Sequence, residues 1–61
     1  MHISVNNIGE RIVTSVADIK ELVKELDVTS HEKGEILTLL DDVEMYGNAL
    51  STATDDNGKP C

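Results

Sequence analysis

The chain has 61 residues and a formal net charge of −7, with twelve Asp and Glu against five Lys and Arg, so it makes one domain at most. That surplus argues against the counterion-release binding to phosphate backbones used by basic proteins, and with Tyr46 the sole aromatic residue there is no stacking platform for unpaired bases. Nucleic acid is therefore not an expected partner.

No apolar run approaches the ~18 residues of a membrane span, and Met1–Ser15 lacks the basic start and continuous apolar stretch of a signal peptide. No membrane contact is expected. A domain this small buries only about 60% of the surface its unfolded chain exposes, so something must supplement the core. Cys61 is the single cysteine and rules out an internal disulfide, which makes a reducing cytoplasm the expected location. His2 and His31 stand in no Cys/His cluster, so neither a structural metal nor another cofactor is expected. Self-association is the supplement that remains.

From Val5 the apolar positions Val5, Ile8, Ile12, Val16, Ile19, Leu22, Val23 and Leu26 advance in steps of three and four, the spacing of a helix. Asn6 or Asn7 marks its start, with Glu10 three residues after Asn7 in the capping-box position and Gly9 in the first turn. The helix is expected over roughly Asn7–Asp27. A rival reading for the start is a small β-hairpin around Asn6-Asn7-Ile8-Gly9, since His2-Ile3-Ser4-Val5 alternates and Arg11-Ile12-Val13-Thr14 is rich in β-branched residues. Thr29 with Glu32 forms a second capping box, opening a helix over about Ser30–Leu50 that carries Ile36, Leu37, Leu39, Leu40, Val43, Tyr46 and Leu50. The composition of Ser51–Cys61 abandons the pattern, so residues 1–50 read as one helical domain and 51–61 as a disordered acidic tail.

With Ile12 at heptad position a, the first helix has Val5, Ile12, Ile19 and Leu26 at a, Ile8 and Leu22 at d, and Val16 and Val23 at e. With Ile36 at a, the second has Val43 and Leu50 at a, Leu39 and Tyr46 at d, and Leu40 at e. Both stripes are wider than one seam can cover. The expected fold is all-α: an antiparallel helical hairpin pairing with a second copy as a four-helix homodimer, with Ile12, Ile19, Leu22, Leu26, Ile36, Leu39, Leu40, Val43 and Tyr46 as its core and dimer residues.

Candidate functional residues are carboxylates. Glu35, Asp41, Asp42 and Glu44 lie along the second helix, and Asp55 and Asp56 extend the charge into the tail. The plain reading is a solvated, solubilising face. The sharper reading sets g positions Asp18 and Glu25 toward Asp42 and Glu35, like sign against like sign, a repulsion that a basic protein surface laid across that rim would relieve. Glu35, Asp41, Asp42 and Glu44 are accordingly the candidate partner-binding residues. His31 and Glu35 share a helical face at i, i+4 but have no third ligand. Ser30 and His31 are neighbours that do not face each other, no nucleophile elbow or phosphate-binding glycine loop occurs, and two helices enclose no substrate pocket. No catalytic role is expected.

In its size, its hairpin pattern, the Glu25-Leu26-Asp27 run before the turn and the acidic glycine-containing stretch Asp55–Gly58, the chain resembles the plasmid copy-number regulator Rop. That resemblance implies a four-helix homodimer gripping paired RNA loops with one helix face. The basic residues of the first helix are only Arg11, Lys20 and Lys24, at different heptad positions and interleaved with Glu10, Asp18, Glu21 and Glu25. Leu40-Asp41 followed by Tyr46 resembles the second-helix motif of the small aspartyl-phosphate phosphatases of the sporulation phosphorelay. Those proteins carry Ser-Gln before the Leu-Asp, where this chain has Leu37-Thr38. Neither resemblance assigns the chain to a family. The leading expectation is a small acidic regulatory or inhibitory protein of bacterial or phage type that binds a protein target. An RNA-contacting four-helix regulator stands second and a surface phosphatase third.

Overall fold

The computed structural model describes residues 4–61 as two helices, α1 (Val5–Lys24) and α2 (Ser30–Ser51), folded back on each other as an all-α hairpin. α1 begins earlier than the asparagines suggest. Ser4 takes the extended N-cap conformation and its Oγ accepts from the Asn7 amide at 3.1 Å, which places both Asn6 and Asn7 inside the first turn. Arg11–Thr14 is helical, so the rival β-hairpin does not form; its His2-Ile3 portion lies outside the described residues. α1 also ends at Lys24 and not at Asp27. Its last carbonyls accept from the Glu25 and Leu26 amides, and Lys33 Nζ donates to Lys24 O at 3.0 Å, a cation on the negative end of the helix dipole. α2 opens where expected, with Thr29 Oγ1 accepting from the Glu32 amide at 3.1 Å.

The hairpin closes along a line that the heptad pattern did not favour. Its buried residues are Gly9, Val16 and Val23 of α1 and Gly47 of α2, all at position e, flanked by half-buried Ile12, Val13, Ile36, Leu37, Leu40 and Leu50. The physical reason is the pair of glycines. A Cβ on Gly9 would stand 2.5 Å from the Gly47 carbonyl oxygen and would collide with the Ser51 amide, while one on Gly47 would stand 2.7 Å from Ile12 Cγ2. Only where side chains are missing can two helix backbones approach so closely, and the rest of the seam follows from that contact. Of the nine residues expected in the core or dimer seam, Ile12, Ile36 and Leu40 are half-buried within the hairpin. Ile19, Leu22, Leu26, Leu39, Val43 and Tyr46 are exposed on the single chain.

The segment expected to be a disordered tail makes a turn that docks on α1. Asp55 Oδ1 accepts from the amides of Asn57 and Lys59 at 2.8 and 2.9 Å, Gly58 supplies the positive φ of 77°, and Cys61 N returns to Ala53 O at 3.1 Å. Asn6 is the anchor. Its backbone amide, one of the unpaired donors of the first helical turn, donates to Cys61 O at 3.0 Å. Its side-chain Nδ2 donates to Leu50 O and Ala53 O at 2.9 and 3.0 Å. The carbonyls at the end of α2 and the start of the turn thereby find a donor in the first turn of α1.

Candidate functional site

At about 100° per residue, positions a and d lie about 40° and about 100° from the e-centred seam, to the same side, on each helix. Because the helices are antiparallel, the same offset turns both stripes to one side of the hairpin. That side carries Ile8, Ile19 and Leu22 from α1 and Leu26 just beyond its end, with Leu39, Val43 and Tyr46 from α2, all exposed; Leu22 and Leu39 are each 65% accessible and Tyr46 63%. The molecule is a slab of 47 × 22 × 11 Å with this apolar front. Among the described residues, the buried hydrophobic ones are Val16 and Val23.

The charges divide between the two sides of the slab. Position g, which holds Asp18 and the C-cap residue Glu25 of α1 and Glu35 and Asp42 on α2, points away from the seam, so these carboxylates line the two long edges of the front. The expectation that they face one another across the seam is corrected. It assumed closure through a and d, and closure through e sends g to opposite edges. Arg11 is the cation that shares this column.

The back of the slab is paired. Lys20 Nζ donates to Asp41 Oδ1 at 2.6 Å and to Glu44 Oε2 at 3.2 Å, and Lys24 meets Glu21 at 3.2 Å. The hydrogen bond to Asp41, followed by that to Glu44, raises the Lys20 pKa above its ordinary 10.5. The four carboxylates proposed as one flank are therefore two sets: Asp41 and Glu44 are held by Lys20 within the hairpin, while Glu35 and Asp42 stand on the front edge. Glu35 Oε1 lies 3.2 Å from His31 Nε2, both side chains exposed. These two residues line an open trough with Ser30, Gly34, Thr38 and Leu39 on the outer side of α2. Among the described residues, no group of three or more His, Cys, Asp or Glu is placed to hold a metal ion, and no helix is long and apolar enough to cross a membrane.

One signal for the seam was present in the sequence. Gly9, Val16 and Val23 repeat every seven residues, and a column of small residues at that period is what close helix packing needs; on the second helix only Gly47 supplies it, with Leu40 seven residues before. No family model matches the chain, and neither the curated proteins nor the solved structures give a match.

Proposed function

We propose that this is a small acidic regulatory or inhibitory protein, of the kind bacteria and phages encode compactly, that acts in the cytoplasm by laying the front of its hairpin on a protein target. The observation that supports this reading is the exposed apolar face built jointly by α1 and α2. A contiguous apolar patch of more than a few hundred Å² is uncommon on a monomer and marks an interaction surface. A face of 47 × 22 Å can supply the roughly 800 Å² that each partner gives to a stable interface.

The same face supports a second reading, a four-helix homodimer in which another copy covers both stripes and supplements the small core around Val16 and Val23. RNA contact draws less support, because Lys20 and Lys24 already sit against carboxylates. A surface phosphatase draws less still, since Asp41 is engaged by Lys20 and the trough beside α2 is open.

The test is a paired change, Leu22→Gln with Leu39→Gln. Both residues are mostly exposed and glutamine is a good helix former, so helicity should be retained. A tagged wild-type protein should capture its target from the host, and the variant should not. A target held equally well by both proteins would remove the front face from the account.

A further inference from the structure

Resting on the reading that the front face binds another protein, we infer that its occupant is a cationic amphipathic helix of the partner. The apolar front and its acidic edges form one surface. On each edge two carboxylates stand seven residues apart, Asp18 on α1 with Glu25 at its C-cap, and Glu35 and Asp42 on α2, a rise of about 10 Å along the helix axis. Because α1 and α2 run antiparallel, Asp18 lies level with Asp42, and Glu25 with Glu35, across the front. Lys20, Lys24 and Lys33 are turned to the back or the turn, where they contact Asp41, Glu44, Glu21 and the end of α1.

A helix with its side chains is about 10–12 Å across and the slab is 22 Å wide, so one helix laid along the groove between α1 and α2 fits on the front with both edges beside it. Its apolar stripe at i, i+3, i+4 and i+7 would cover Leu22, Leu39 and Val43. Lysine or arginine on its two flanks would reach the edge carboxylates, their aliphatic stems lying over the apolar floor. A second copy fits the charges badly. Stacked face to face, it would add its own Asp18, Glu25, Glu35 and Asp42 to the same rim, with Arg11 the one cation each copy brings to that column. Like charges juxtaposed around an interface select against a partner, and opposite charges select for one.

The experiment uses the full chain and dye-labelled synthetic helices of ~18 residues that share one leucine stripe and differ in their flanks, all lysine or all glutamate, with a scrambled lysine peptide as control. Fluorescence anisotropy should show the lysine-flanked helix binding at least about tenfold more tightly than either other peptide, with affinity falling as salt rises. Neutralising the edges with Asp18→Asn, Glu25→Gln, Glu35→Gln and Asp42→Asn should weaken it about tenfold. Neutralising the same number on the back, Glu10→Gln, Glu21→Gln, Asp41→Asn and Glu44→Gln, should leave it within about twofold, circular dichroism confirming that both variants are folded. Equal affinity of wild type and edge variant overturns the cationic helix and leaves the front-face reading standing. Binding untouched by Leu22→Gln with Leu39→Gln overturns the front-face reading itself. A species of twice the 6.6 kDa chain mass by light scattering, undiminished by the peptide, replaces the cationic helix with a second copy.

Discussion

The fully buried line of the seam and the open front of this hairpin are built from the same two helices, yet they sort their residues by size. The seam holds Gly9, Val16, Val23 and Gly47 and is closed; the front holds Leu22, Leu39 and Tyr46 and is open. What decides between them is backbone distance. Helices pack most closely where side chains are smallest, and here the largest apolar groups are left beside the contact and not within it. Their unburied area remains for another chain, and burying one such side chain fully is worth about 1.5–3 kcal/mol.

The largest expected effect breaks the seam with one methyl group. Alanine in place of a helical glycine ordinarily gains up to about 1 kcal/mol, and Gly34→Ala, with open space at its Cβ, should show that gain. Gly9→Ala should reverse the sign and cost about 3 kcal/mol, because the new Cβ meets backbone atoms of α2 that have no rotamer to change. Thermal melts followed by circular dichroism measure both. A Gly9→Ala protein as stable as the Gly34→Ala protein would mean that the helices do not meet at this point.

A smaller effect compares seam and front directly. Val23→Ala removes two buried methylene equivalents and should cost about 2 kcal/mol, whereas Leu22→Ala, one residue away and the larger deletion, should cost under about 1 kcal/mol in dilute monomer. If a second chain covers the front, the order inverts as concentration rises. Urea titrations at low and high protein concentration separate the two cases.

The smallest effect concerns the ion pairs on the back. Lys20→Met should lower stability slightly at neutral pH, with less effect in high salt, since the pair is partly exposed. The Lys20 pKa is raised in the folded state. The contribution is therefore complete below the ordinary lysine value of 10.5 and disappears as pH climbs through the higher folded value. The stability difference between Lys20→Met and the parent should be flat from pH 6 to 9 and shrink only in strong alkali.

Local patterning by itself determined the two helices, the short turn between them and the Thr29–Glu32 start of α2, because period and capping act within a few residues and need no distant partner. It also marked every apolar residue that the front presents. It could not choose which face closes the hairpin, because a heptad pattern weighs Leu22 as a better seam residue than Gly9. Close packing weighs them in the opposite order once a second backbone arrives. The course of residues 52–61 was equally hidden. It depends on Asn6 meeting the carbonyls of Leu50, Ala53 and Cys61, at least 44 residues away in the chain. The arrangement of charge was settled last and only in three dimensions: the carboxylates were legible as a list, but whether one lies beside Lys20 or at the edge of an apolar face depends on where the seam runs.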